Sequence, residues 1–344
     1  MSAPQVPGIA VEFGPRGRLD RHSDLFAEAS RVQGDAPRAI QLARRLDDVA
    51  FPGEGETLQL WGLLATLGSI DLTAARVAEA HLDARSILRQ AGSAAGDGAW
   101  GVFAAEAADV RLDATAAGDG WRLSGTKPWC SLAGMLDSAL ITAHTPVGRR
   151  LFAVDLREDG VTVEPGAWFA RGLSEVTSGP IHLEDVPATA VGDTGWYLTR
   201  SGFSWGGIGV AACWFGGAIG AARALLAQAR IREPDQIALA HIGALDASIH
   251  ANRVLLEHAA TEVDAGRAEG EAGGILAARV RASIADLVEE TILRTGHALG
   301  PAPLSFDDEH ARRIADLQLY VRQHHAERDQ ASLGRAALAA GVTW

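Results

Sequence analysis

Cysteine, tyrosine and methionine are scarce in this chain of 344 residues, with two of each. Cys130 and Cys213 lie far apart, so they form neither a disulfide framework nor a metal-binding cluster, and such sparse use fits a reducing compartment. The first residues, MSAPQVPGIAVEFG, have no basic segment followed by an apolar core. We therefore predict a cytoplasmic protein without a signal peptide.

Several common functional motifs are absent as well. The sequence has no GxxxxGK(S/T) phosphate-binding loop and no HExxH or CxxC metal motif. Its nearest approach to a dinucleotide-binding GxGxxG motif, GGIGVAACWFGG, falls within a predicted helix and does not follow a strand. These absences argue against a P-loop enzyme, a zinc enzyme and a standard dinucleotide-binding enzyme.

Positively charged residues are fewer than negatively charged ones: the chain has 31 Lys and Arg residues and 43 Asp and Glu residues, which gives a net charge of −12. We therefore predict no nucleic-acid partner. With 47% hydrophobic and 22% charged residues, the chain has the composition of a globular protein with a substantial core.

An uncharged stretch between Arg200 and Arg223 is long enough to span a bilayer. Seven of its residues are glycine, and large aliphatic residues are few. We therefore predict no membrane span. The composition favours a buried helix in which Gly216 and Gly220 let a second helix approach closely.

The hydrophobic periodicity changes twice along the chain. Residues 20–92 have apolar residues at helical spacing, with a helix cap within Ser69–Ile70–Asp71 and Gly92 as a stop. The segment 96–195 contains short alternating runs separated by turn signals, the strongest at Asp119–Gly120. Such runs predict a small antiparallel β-barrel or sandwich.

The remainder of the chain is rich in alanine and has helical spacing again. It predicts a four-helix bundle with helices near 197–231, 235–267, 272–298 and 308–341. We therefore predict an α+β fold of three domains, which are an N-terminal helical domain (1–95), a β domain (96–195) and a C-terminal helical bundle (196–344).

Trp129, Ser131 and His81 are the first candidates for chemistry. Trp129 and Ser131 follow the predicted hairpin, where they either pack in a strand and a turn or form an aromatic wall and a hydrogen-bonding group for a planar cofactor. His81 lies on an amphipathic helix, where a lone histidine either packs or titrates as part of a site.

The segment LYVRQHHAERD carries a second set of polar side chains. On a continuous helix, His324 shares a face with Arg328 and Gln330, and His325 shares another face with Asp329. The pattern is consistent with a solvated helix face or with a functional one.

The segment GDGWRLSGTKPWCSLAGMLDSALITA, together with the α–β–α order, resembles the acyl-CoA dehydrogenase superfamily. The family pattern W-x-L-x-G-x-K-x-W-x-(T/S) is matched at Trp121, Gly125, Lys127, Trp129 and Ser131. Three other segments, LWGLLATLGSIDLTAARVAEAHLDA, IHLEDVPATAVGDTGW and GHALGPAPLSFDDEHARRIADL, are also similar to that family, so the resemblance covers about residues 60–340.

The resemblance implies FAD held between the β domain and the bundle, and homodimers or homotetramers built on the bundles. By this similarity Trp129 stacks near the isoalloxazine with Cys130 beside it, and the hydroxyl of Ser131 bonds the flavin edge. Gly296 and Gly300 are implied to lie near the pyrophosphate of a neighbouring subunit's FAD.

The implied activity is α,β-dehydrogenation of an acyl thioester such as an acyl-CoA, with hydride transfer to FAD. That reaction needs a carboxylate base beside the substrate. The family's two positions for this glutamate fall on His324 and Gly206 here, so neither holds a carboxylate. In addition, the family's Arg-x-x-Phe-Gly segment, which helps to hold FAD, is replaced by the shorter RIREPDQIA.

Three interpretations follow from these departures. In the first, His324, His325 or Glu327 replaces the base of a dehydrogenase. In the second, the chain resembles flavin-dependent monooxygenases of the dibenzothiophene and hydroxyphenylacetate type, whose catalytic histidines and serine are matched by position at His81, Ser131 and His324. In the third, the chain is a redox-inactive or partner-dependent subunit of a hetero-oligomer.

Overall fold

The computed structural model describes residues 10–14, 19, 22–46, 49–164, 166 and 168–343. Within these ranges the elements follow the order helices, strands, helices, which confirms the two predicted changes of periodicity. The start of the chain, on which the signal-peptide prediction depends, lies mostly outside the described residues, and the two boundaries between the three domains stay predictions.

In the described residues four helices precede the strands, namely α1 Ser23–Ala29, α2 Ala36–Ala43, α3 Thr57–Ile70 and α4 Leu72–Gln90. Helix α3 is apolar nearly all round and is buried along most of its length. The predicted cap within Ser69–Ile70–Asp71 is confirmed, and the residue that forms it is Asp71, whose side chain accepts the Ala74 N–H. Gly92, with a φ of 68°, follows the end of that helix.

The part of the chain that the structure describes contains seven strands, which are β1 Trp100–Phe103, β2 Leu112–Ala117, β3 Gly120–Lys127, β4 Ser138–Thr145, β5 Gly148–Asp155, β6 Val161–Val163 and β7 Ile181–Val191. β2 and β3 form the predicted hairpin. Its turn lies at Gly118–Asp119, one residue earlier than expected, because Gly118 adopts the positive φ (58°) that the turn requires.

The strands close into a small barrel. β4 pairs with β2 along one edge and with β5 along the other, and β3 and β7 complete the ring, while β1 and β6 pair outside it. The prediction of an antiparallel barrel is wrong at two places, since β1–β4 and β2–β4 run parallel. The chain reverses its direction at the β2–β3 hairpin and again in the loop after β3. β4 therefore runs parallel to both β1 and β2.

The C-terminal helices are α5 Trp196–Thr199, α6 Ser201–Ile231, α7 Gln236–Asp264, α8 Gly270–Leu299, α9 Ala302–Phe306, α10 Asp308–Tyr320 and α11 Glu327–Ala339. Within the described ranges α6 alone has the length and apolar composition to cross a bilayer, and most of its apolar stretch is buried inside the fold.

Helix α6 crosses α3 so closely that the two backbones are in van der Waals contact. A Cβ atom on Gly216 would lie 1.8 Å from the carbonyl oxygen of Ala65, and one on Gly220 would lie 2.7 Å from that of Ser69. The predicted close approach at these two glycines is therefore confirmed, with α3 and its C-terminus as the neighbour.

The predicted helix 308–341 is wrong because the helix is interrupted. After α10 a 3₁₀ turn covers Val321–Gln323, His324 is extended, and Ala326 has a φ of 48°. The expected helical faces of His324 and His325 therefore do not exist, and both histidines lie in the connection between α10 and α11.

Candidate functional site

The loop after β3 holds a tryptophan at the surface in a conformation that few side chains adopt. Trp129 and Leu132 both have a φ of 59°, and 59% of the Trp129 side chain is exposed. The loop keeps this shape because the Cys130 N–H donates to the Gly179 carbonyl at 2.9 Å and the Leu132 N–H to the Thr177 carbonyl at 2.8 Å.

Lys127, the only lysine of the chain, fixes the start of this loop. Its Nζ atom donates to Glu106 Oε1 at 2.7 Å and to Thr142 Oγ1 at 2.9 Å, and only 2% of its side chain is exposed. Burial lowers the pKa of Lys127, while the hydrogen bond to Glu106 acts in the opposite direction. Arg149 lies 3.3 Å from the same Glu106 oxygen, so the carboxylate has two cationic neighbours.

A cavity of about 530 Å³, the Trp129 cavity, opens beside this loop. Ser131 lines it, and its Oγ atom lies 2.8 Å from Oγ of Ser178 on the opposite segment. The structure thus places Trp129 and Ser131 on one cavity, between the barrel and α10. The lining of this cavity also includes Arg76, Leu173, Tyr320, Gln323 and His325.

The wall formed by residues 171–178 is pinned to α10 by a buried carboxylate. Asp316 Oδ1 accepts the Leu173 N–H at 2.5 Å, and Gly172 lies so close that a Cβ there would be 1.9 Å from the Ala315 carbonyl oxygen. Burial raises the pKa of Asp316 to about 6, although the bond from Leu173 lowers it.

A second cavity, of about 640 Å³, lies among α4, α6, α8 and α11, and we call it the Arg281 cavity. Much of its wall is small or apolar, including Gly206, Gly207 and Ala278. Arg281 donates to the carbonyl oxygens of Gly207 and Gln323, both at 2.9 Å, and stacks 4.8 Å above the Trp214 ring. Its charge is therefore held in a fixed position.

The letters GFSWG, residues 202–206, match the GxSxG pattern of hydrolase nucleophile elbows. All five residues lie in the first turns of α6, which follows helix α5, so no strand-to-turn geometry exposes Ser204 as such a nucleophile. Ser204 lines the Arg281 cavity as an ordinary helix residue.

Two residues, Gln323 and His325, line both cavities, and an ion pair lies at the boundary between them. Arg76 Nη1 donates to Glu79 Oε2 at 2.9 Å, and the Tyr320 hydroxyl lies 3.4 Å from the same oxygen. Glu79 lines the Arg281 cavity, and its two partners line the Trp129 cavity. Burial, opposed by Arg76 and assisted by Asp83, raises the pKa of Glu79 to about 7.

Asp83 lies one helical turn further along α4 and lines the Arg281 cavity too. Burial raises its pKa, while Arg200, 3.6 Å away, lowers it. A Cβ on Gly206 would lie 2.9 Å from Asp83 Oδ1. The glycine at this position therefore leaves room for a carboxylate that belongs to another helix.

The two histidines of the α10–α11 connection lie near Asp329. His325 Nδ1 is 3.4 Å from Asp329 Oδ1, and its backbone N–H donates to Oδ2 at 3.1 Å. His324 lines the Arg281 cavity, is buried, and has its Nε2 atom 4.0 Å from Asp329 Oδ2. Burial lowers the pKa of His324.

Four other predicted site residues do not line either cavity in the part of the chain that the structure describes. His81 is buried, and its Nδ1 atom accepts the Trp100 N–H at 3.2 Å. Cys130 is buried beneath the loop, where burial raises the pKa of its thiol to about 12. Gly296 and Gly300 lie at the C-terminus of α8, and their predicted role toward a neighbouring subunit stays a prediction.

Sequence reasoning missed the ionisable residues of the boundary and of the adjoining Arg281 cavity, namely Arg76, Glu79, Asp83, Arg200, Arg281 and Tyr320. One signal was available, because Arg76, Glu79 and Asp83 follow one another at spacings of three and four on a helix that is otherwise buried. Charged residues on a buried helix face are costly unless they are paired, so such a row marks a site worth testing.

No protein-family model and no curated protein sequence matches the chain significantly. Solved structures do match along nearly its full length. KijD3, in complex with FMN and a dTDP-linked amino keto sugar, is 19% identical, with a TM-score of 0.79 and coverage of 98% of this chain and 96% of that one. Glutaryl-CoA dehydrogenase from Mycobacterium smegmatis is 18% identical, with a TM-score of 0.77 and coverage of 95% and 96%.

The FMN-bound dibenzothiophene monooxygenase TdsC from Paenibacillus sp. A11-2 is also similar, at 18% identity, a TM-score of 0.74 and coverage of 90% and 94%. These neighbours include a dehydrogenase and a monooxygenase, so the fold is common to both reactions. The resemblance seen in the sequence is confirmed at the level of the fold: the chain has the fold of the acyl-CoA dehydrogenases and of the flavin enzymes related to them.

Proposed function

We propose that this chain is a flavin-dependent oxidoreductase that binds its flavin in the Trp129 cavity and its substrate in the Arg281 cavity. The observation that carries the proposal is the contact between the two cavities at Gln323 and His325, with an aromatic wall on one side and buried ionisable groups on the other. A cofactor and a substrate held there would be neighbours, as a redox reaction requires.

The residues of the Trp129 cavity fit a planar cofactor. Trp129 is largely exposed and lines the cavity, Ser131 offers a hydroxyl, and Leu173 adds an apolar surface. A flavin, when bound, supplies an acceptor for hydride or a means of activating dioxygen. This chain's residues would hold it, orient it and control protons around the substrate.

The form of the flavin is a separate question, because FAD was expected and the neighbours KijD3 and TdsC bind FMN. The connection between α6 and α7 has only four residues, 232–235, and lacks the family's Phe-Gly. The segment that helps that family to hold FAD is therefore absent from this connection, and we propose FMN as the preferred cofactor. Chromatography of the flavin released on denaturation distinguishes the two.

The proposed reaction is dehydrogenation of an acyl thioester, because carboxylates at the edge of the Arg281 cavity supply the kind of base that the family's usual positions lack. Monooxygenation is the second candidate. It is favoured by His325, which lines both cavities and suits proton transfer beside a bound oxygen species, and by the similarity to TdsC.

The test starts from purified protein incubated with FMN and with FAD. A protein that stays colourless with both would overturn flavin binding by the isolated chain and leave the partner-dependent subunit as the interpretation. If flavin binds, bleaching by acyl-CoA thioesters without oxygen supports dehydrogenation. Incorporation of isotopically labelled dioxygen into a product, in the presence of a flavin reductant, supports monooxygenation.

Replacing Ser131 with alanine should slow flavin reduction about tenfold, which corresponds to the loss of one hydrogen bond of about 1.4 kcal/mol. Stability should change little, because the Ser178 hydroxyl to which it bonds, at the edge of a cavity, can bond to water instead. The measurement is the rate of anaerobic bleaching beside a thermal unfolding curve, with Ser131→Thr as the control that keeps the hydroxyl. Unchanged kinetics with a lower melting temperature would contradict the assigned role.

A further inference from the structure

Glu79 is placed where the proposed cofactor and substrate sites meet. It faces the Arg281 cavity from α4, while the two groups that hold its carboxylate, Arg76 and Tyr320, line the Trp129 cavity. We infer that Glu79 is the catalytic residue that takes the proton from a substrate bound in the Arg281 cavity. This inference rests on the proposed function.

The chemistry requires a base at this boundary. In the proposed dehydrogenation, the C–H bond next to the thioester carbonyl breaks and its proton bonds to an oxygen of Glu79. The electron pair left behind forms the C=C bond while hydride leaves the neighbouring carbon, with oxidised flavin as the acceptor. Since the two hydrogens come from adjacent carbons, the base must lie within hydrogen-bond reach of a carbon that also adjoins the flavin site.

Geometry favours Glu79 over the other ionisable groups of the Arg281 cavity. His324 lines that cavity alone, and its ring lies 4.0 Å from Asp329, which lines the Arg281 cavity as well. Asp83 is paired with Arg200, which also lines the Arg281 cavity alone. Glu79, in contrast, has two hydrogen-bond partners that line the Trp129 cavity. His325 lines both cavities, but 67% of its side chain is exposed, so water competes with a substrate for its proton.

Arg76 and Tyr320 also explain how Glu79 can accept a proton and hold it. The guanidinium favours the carboxylate before the reaction, and the buried surroundings favour the neutral acid after it. The groups that face Glu79 are Arg76 and Asp83 on α4, Tyr197 on α5, Cys213 on α6, Arg281 on α8 and Tyr320 on α10.

The carboxylate should titrate near pH 7, which is the range in which a base works best at physiological pH. Activity should therefore rise with pH through that range, as Glu79 loses its proton. The same titration is visible without any ligand, because a protonated and an ionised carboxyl group absorb at different infrared frequencies.

The decisive variant is Glu79→Gln, which keeps the shape and the hydrogen-bond acceptor but cannot take a proton. We expect anaerobic bleaching of the bound flavin by acyl-CoA thioesters to slow by about 10²–10⁴-fold, with flavin affinity unchanged and the pH dependence lost. Glu79→Asp, which keeps the carboxylate, should recover part of the rate. In the ligand-free protein, the infrared difference between about pH 6 and about pH 8 should contain a carboxyl band that the Gln variant lacks.

The outcomes separate the inference from the function on which it rests. A wild-type protein that binds flavin but reacts with no thioester overturns the proposed dehydrogenation and the inference with it. A reactive wild type whose Glu79→Gln variant is equally fast, or shows the same infrared titration, overturns the inference and leaves the function standing. A slow variant that keeps the wild-type pH profile shows that Glu79 only supports the structure, and this also overturns the inference.

Discussion

Replacing Gly216 with alanine should lower the free energy of unfolding by about 3 kcal/mol, which is at the upper end of what overpacking a core costs. The reason is the crossing of α6 and α3, where the new Cβ atom would lie 1.8 Å from the Ala65 carbonyl oxygen. That oxygen belongs to the backbone of the buried helix α3. The helices α3 and α6 therefore cannot move apart at this point without disturbing the packing along the whole crossing. Urea unfolding of the variant measures the loss.

Gly243→Ala is the matched control for this prediction. Gly243 lies within α7, and a Cβ there would meet nothing within 4 Å. Since glycine in a helix interior is less favourable than alanine by roughly 0.5–1 kcal/mol, this substitution should stabilise the protein by about that amount. A Gly216→Ala protein as stable as the wild type would contradict the close crossing of α3 and α6.

Asp316→Asn should stabilise the protein at neutral pH by up to about 3 kcal/mol. The pKa of Asp316 is raised from 3.8 in the unfolded chain to about 6 in the folded one, so the folded state holds the proton more tightly. Protonated Asp316 therefore makes its full contribution to the stability of the folded state below about pH 4. This contribution is lost as the pH rises through about 6. Asparagine still accepts the Leu173 N–H but cannot ionise, so it avoids that loss.

The measurement is the free energy of unfolding at about pH 4, 5 and 7 for both proteins, because the difference should grow over this range and then level off. Asp316→Ala is the control. It leaves the buried Leu173 N–H without its acceptor, so it should be less stable than the wild type at every pH. If the Asn variant and the wild type lose stability in parallel between pH 4 and 7, the raised pKa is contradicted.

The sequence predicts those parts of the fold that depend on local patterns. Asp71 and Gly92 mark the ends of α4 because capping and positive φ are properties of single positions. Gly216 indicates a close crossing because only a residue without a side chain permits one. The Trp129–Ser131 motif predicts a shared site, and the structure places both residues on one cavity, while their role toward a flavin stays a prediction.

The parts that the sequence does not predict depend on contacts between distant segments. Tyr320 and Glu79 are separated by 241 positions, and only the packing of α10 against α4 brings them together. The interruption after Tyr320 has no proline or glycine to mark it. At this interruption the His325 N–H donates a hydrogen bond to the Asp329 side chain. The spacing of hydrophobic residues in the sequence does not indicate this bond.

The burial of Lys127 has a practical consequence for studying the protein. Because the chain has no second lysine and this one is buried against Glu106, acylating reagents that attack amines should find no reactive side chain on the folded barrel. Modification of Lys127 would then require β3 to separate from its neighbours, and its rate would report how often the barrel opens. The unmodified sequence thus contains its own probe of local unfolding, at the strand that leads into the proposed flavin site.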